Sequence, residues 1–132
     1  TNYLTRKGQA FVAESGCAQQ TLGKETVKPI PGFPGLFAIA AGGHTPGSTI
    51  YAANVAGQIW VMAGDISNSM EKLVANQGKP KAYSLLVTPE HTKRLAMLRG
   101  WLNQAAAKGA TLVVAHDLEA MQAAGIKPLV SN

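Results

Sequence analysis

The sequence predicts an α/β fold, a mixed β-sheet with helices layered against it. Three observations lead there. Between Leu36 and Ala63 lie three apolar, β-branched and aromatic runs separated by Gly-rich turns. A longer stretch ending at Gly109 then carries leucines at helical spacing. Finally, Thr111–Ala115 reads as a short buried strand with a helix-length segment behind it. The chain has 132 residues, of which 46% are hydrophobic and 14% charged, which suits one modest core and argues against disorder. A single domain over 1–132 is therefore expected.

Residues 1–35 are the least regular part. Gly8, Gly16, Gly23 and Pro29 punctuate them, a short amphipathic piece covers Gln9–Glu14, and Pro31-Gly32-Phe33-Pro34-Gly35 forms a rigid turn. Leu36–Ala40 and Thr49–Ala53 are the first two strand runs. Asn54-Val55-Ala56-Gly57 joins the second run as a hairpin to Ile59-Trp60-Val61-Met62-Ala63-Gly64. A helix is expected within Ser67–Gln77, stopping at Gly78-Lys79-Pro80. The clearest helix follows, with Thr88 as N-cap, Pro89 at its first position and Glu90 facing the positive helix end. Leu95, Leu98, Leu102 and Ala105 form its apolar face, with Trp101 beside it and Gly109 as the stop. The last helix runs over Asp117–Ala124 and ends at Gly125.

Composition removes several function classes. The net charge of +5 comes from scattered residues, with no basic run interleaved with aromatics, so no nucleic-acid partner is expected. Such charge suits anionic small molecules better. No apolar run approaches the ~20 residues of a membrane span, and Thr1-Asn2-Tyr3-Leu4 does not open a signal peptide. Cys17 is the single cysteine, which excludes an intrachain disulfide and a thiolate zinc cluster. Without a basic neighbour it reads as an ordinary free thiol rather than a nucleophile.

The residues suited to chemistry sit where predicted strands end. His44 is held between Gly42-Gly43 and Pro46-Gly47, Asp65 follows Gly64, and His116 follows Ala115. Two imidazoles and a carboxylate are donor types that suit zinc and its first-row neighbours, and stiff strand ends would hold them in place. Each histidine taken alone reads better as a buried residue satisfied by a backbone partner.

Taken together, Gly43-His44-Thr45-Pro46-Gly47-Ser48, Met62-Ala63-Gly64-Asp65 and Val113-Val114-Ala115-His116-Asp117 resemble motifs of the metallo-β-lactamase-fold hydrolases, in the family's order. The resemblance covers about residues 29–118. It implies that His44 ligates one metal, that Asp65 bridges two and orients the attacking hydroxide, and that His116 ligates the second. It also implies two zinc ions, a small-molecule substrate with an ester, lactone, amide or related bond, and half of an αβ/βα sandwich. The family's His-x-His-x-Asp-His signature belongs upstream of His44, yet residues 1–43 contain no histidine. The chain therefore resembles the C-terminal half of such a hydrolase, with part of its metal site. A missing N-terminal half, or self-association, would cover the sheet. The alternative is a catalytically inactive half-fold serving as a binding or oligomerisation module. A nuclease of the same fold ranks last for want of a basic exosite. The compartment, periplasmic or cytoplasmic, stays open.

Several neighbours are read structurally. His91 is expected on the surface of the long helix, and Ser48, where many relatives carry a second histidine, bonds the turn. Asp117 is an N-cap in preference to a partner of a ligand imidazole. Trp60, Trp101 and Tyr51 belong to the core or half-buried strands, and Asn68–Lys81 is the segment expected to contribute to a substrate pocket.

Overall fold

The computed structural model describes residues 20–22, 25–80, 82 and 90–127. Cys17 and the Gln9–Glu14 segment lie outside these, as do Thr88 and Pro89. Among the described residues six strands form one sheet in sequence order: β1 (Gln20–Leu22), β2 (Glu25–Pro29), β3 (Leu36–Ala40), β4 (Thr49–Val55), β5 (Gln58–Met62) and β6 (Thr111–Val113). The first five make an antiparallel meander, and β6 lies parallel to β5. That parallel pairing needs a crossover, which carries a 3₁₀ turn (Gly64–Ile66), helix α1 (Met70–Val74) and helix α2 (Thr92–Ala107). Helix α3 (Leu118–Ala123) follows β6. The sheet is mixed and the class is α/β, as expected.

Local chemistry explains the element ends. In the β4–β5 hairpin Ala56 and Gly57 both have positive φ, the requirement of a type I′ turn, and Asn54 Oδ1 accepts from Gly57 N at 2.9 Å. The helix expected within Ser67–Gln77 is shorter. It is capped by Ser69 Oγ, which accepts from Lys72 N, and ends before Asn76, whose φ of 50° leaves the helical region. The long helix also starts later than predicted. His91 is its N-cap, exposed as expected, with Nδ1 accepting from Arg94 N at 3.2 Å. Glu90 consequently precedes the helix and does not complement its positive end.

Alternation along the strands divides the sheet into two faces. One carries Ile39, Ile50, Val61 and Leu112, which pack with Leu73 of α1 and Leu95, Leu98 and Leu102 of α2. Leu98 and Leu102 are fully buried, so the predicted apolar face of the long helix is the one that seats it. The opposite face carries Leu36, Ala38, Tyr51, Ala53, Trp60, Met62 and Val113, as the strand register requires. It is apolar yet partly open, with Tyr51 42% and Met62 36% exposed.

Candidate functional site

Register brings the candidate residues to one end of the sheet. Ala40 pairs with Thr49, Tyr51 with Met62, and Met62 with Val113. The loops after β3, β5 and β6, which carry His44, Asp65 and His116, thus leave the same edge. The His44 loop is pressed against α2. A Cβ on Gly43 would meet Leu95 Cδ2 at 3.0 Å, and one on Gly42 would meet the Pro46 carbonyl oxygen at 3.0 Å. His91 N also donates to Gly43 O at 2.8 Å. Ser48 closes the turn by accepting from Thr45 N at 3.1 Å.

Asp65 and His116 meet directly. Asp65 sits in the 3₁₀ turn that starts at Gly64, whose φ of 59° favours glycine. Ala63 N donates to Val113 O and Ala115 N to Gly64 O, extending the parallel pairing past the strands and bringing the two loops side by side. His116 Nε2 then lies 2.8 Å from Asp65 Oδ1, with the side chains 66% and 39% exposed. Such an open pair contributes little stability. Its chemical interest is a nitrogen and a carboxylate held together where solvent reaches both.

His44 keeps different company. Its Nδ1 lies 2.6 Å from Glu90 Oε1, which also accepts from Lys79 Nζ at 2.6 Å. The Glu90 side chain is only 2% exposed and that of Lys79 13%. Burial pushes the Glu90 carboxyl up, but hydrogen bonds from Lys79 and His44 outweigh it, and the net shift is below the ordinary carboxylate range. Arg99 is buried nearby, donating from Nε to Asn76 Oδ1 at 3.0 Å. Burial lowers the affinity of its guanidinium for the proton, and the charge of Glu90 opposes that shift. Asn68, Lys72, Lys79, Glu90 and Arg99 contribute to the lining of a small cavity of about 20 Å³, room for one or two waters.

Asp117 is an N-cap, as predicted, and serves two helices. Oδ1 accepts from Ala120 N at 3.0 Å in α3, and Oδ2 accepts from Met70 N at 2.8 Å at the start of α1. These two backbone bonds hold its carboxyl below its usual range.

The structure therefore pairs Asp65 with His116 and gives His44 to Glu90 and Lys79. Among the described residues no three His, Cys, Asp or Glu side chains form a group that could hold a metal ion. The donors still suit zinc in kind, since an imidazole and a carboxylate already touch and a second imidazole stands at the same sheet edge. A full cage requires donors beyond this set. Sequence reasoning took Glu90 for a helix-end charge and missed it here; Lys79 falls within the Asn68–Lys81 segment expected to contribute to a pocket, but its pairing with Glu90 was not foreseen. The one available signal was that Lys79 lies between Gly78 and Pro80 in a chain with few charges. Among the described residues no helix is long and apolar enough to cross a membrane.

Neither a family model nor a curated protein matches this sequence. Among solved structures, the chain resembles an N-acyl homoserine lactone hydrolase with the product N-hexanoyl-L-homoserine bound at its catalytic metal centre. The TM-score is 0.53 at 16% identity, over 74% of this chain and 36% of that one. A second structure, from work on indirect contributions of mutations to optimisation of a new enzyme function, matches with the same TM-score, identity and coverage. At this identity the likeness shows a shared fold over the matched part alone. This chain spans about a third of the length of the structures it matches.

Proposed function

We propose that this chain is one half of a metal-dependent hydrolase acting on a small molecule with an ester, lactone, amide or related bond. His44, Asp65 and His116 are the metal ligands it contributes, and Asp65 is its catalytic carboxylate. The observation that carries this reading is the convergence of the three loops on one sheet edge, with Asp65 and His116 2.8 Å apart. Its fold is shared with part of a lactone hydrolase that has a catalytic metal centre. Zinc, two ions in the complete site, would supply Lewis-acid chemistry near neutral pH. The residues of this chain hold the donors on stiff strand ends, and Asp65 already orients the His116 ring. The apolar face around Tyr51, Trp60 and Met62 is the surface that the complementary half would cover.

That open face also favours a second reading, a catalytically inactive module that binds or oligomerises through it. Metal content of the purified protein, measured by plasma mass spectrometry with intact mass and oligomeric state, separates the two. The hydrolase reading expects bound zinc that is lost in Asp65→Asn and His116→Ala while circular dichroism stays unchanged. Zinc uptake indifferent to both substitutions, or none in the assembled wild-type protein, overturns it.

A further inference from the structure

We infer that Glu90 is a positioning residue for His44, fixing which ring nitrogen carries the proton and which keeps its lone pair. The inference rests on the reading of His44 as a metal ligand and extends it to two residues outside the ligand set. Its basis is the geometry of one oxygen. Glu90 Oε1 stands 2.6 Å from both His44 Nδ1 and Lys79 Nζ, in a side chain only 2% exposed. Lys79 has donors alone, so Oε1 accepts from it, and the two basic groups at 2.6 Å, His44 and Lys79, each favour Glu90 as the carboxylate. A carboxylate oxygen at that distance from an imidazole nitrogen needs a proton between them. Nδ1 therefore carries the hydrogen, and the lone pair of the neutral ring is on Nε2, the atom able to bind a cation. The Lys79 ammonium, 3.5 Å from Nδ1, has donors alone and by itself favours a bare Nδ1, but that longer contact is outweighed by the 2.6 Å approach of Glu90 Oε1.

The backbone serves the same end. His91 N donates to Gly43 O, which ties the residue after Glu90 to the residue before His44. Leu95, one helical turn into α2, packs so closely on Gly43 that a Cβ there would meet its Cδ2 at 3.0 Å. The ring is thus fixed at its loop by packing and at its edge by Glu90.

The tautomer is read directly by ¹⁵N–¹H correlation of the imidazole rings in the metal-free protein, recorded over a pH series so that the neutral ring is observed. In the wild type His44 should carry its proton on Nδ1, and in Glu90→Gln that signature should be lost. A wild-type ring protonated on Nε2, or an Nδ1 signature that survives in Glu90→Gln, overturns the inference. Lys79→Met keeps the carboxylate and should keep the signature. It and the double variant Lys79→Met/Glu90→Gln carry the test if Glu90→Gln alone fails to fold. In a zinc titration, Glu90→Gln should weaken binding by about 10–100-fold, the usual effect of removing the carboxylate behind a ligand imidazole. A wild type that takes up no zinc defeats the metal reading of His44, whereas the tautomer comparison decides the role of Glu90 by itself.

Discussion

The Lys79–Glu90 contact sets a test of whether this buried charge cluster stabilises the fold. The perturbations are Lys79→Met, Glu90→Gln and the two together, so that the coupling is isolated from each single loss. At an effective dielectric of about 20, unit charges 2.6 Å apart attract by roughly 6 kcal/mol. Desolvation takes back most of that, since both side chains are largely withdrawn from water and each buried ion costs several kcal/mol. What survives is comparable to one charge-assisted hydrogen bond, so the cycle should return a coupling of about 2 kcal/mol. With a urea slope of about 1–3 kcal/mol per molar, that moves the midpoint by roughly 1 M. Trp60 and Trp101, both half-buried, report unfolding by fluorescence. The pH dependence has a fixed sign. Glu90 in the folded chain titrates below its ordinary value of 4.5, so on acidification the unfolded chain takes up the proton first. The coupling is therefore fully present above that value and fades as pH falls through the folded-state titration. A coupling under about 0.5 kcal/mol, or one unchanged in acid, refutes a desolvated ion pair.

Two further outcomes follow from packing. Gly43→Ala sets a methyl 3.0 Å from Leu95 Cδ2 and should cost about 1–3 kcal/mol in urea unfolding while shifting the His44 ring resonances. Leu98→Ala empties the centre of the α2 face, where Leu98 is fully buried, and should cost about 2–5 kcal/mol by the same assay, with the His44 resonances in place.

What the sequence made legible was local. The Asn54–Gly57 hairpin is decided by turn chemistry within four residues, and the α2 stripe by leucines one turn apart. The order of motifs also located the sheet edge, because strand ends follow from where apolar runs stop. The long-range contacts were not legible. His44, Lys79 and Glu90 lie up to 46 residues apart, and no spacing rule tells a charged residue which distant one it will meet. Glu90 shows the cost. Beside Thr88 and Pro89 it reads as a helix-end charge, yet His91 takes the cap and frees Glu90 to turn inward. The helix expected over Ser67–Gln77 was too long for a related reason, since Ser67 and Ser69 are both plausible caps and Ser69 has the bond. Asp117 was assigned correctly as a cap, but its second bond, to a residue 47 positions away, lay beyond any local pattern.

That second bond gives the sheet edge a particular kinetic character. Met70, Asp117, Gly64 and Ala115 tie the start of the crossover to its return, so the carboxylate at 65 and the imidazole at 116 meet only once β6 has docked. Closure of so long a loop belongs to the late, cooperative part of folding, and the tied amides should exchange with solvent through near-global opening rather than local fraying. A cation that engaged both side chains would grip the two ends of the crossover at once. Its dissociation and the unfolding of the sheet edge would then become one event, giving slow release without a deep pocket.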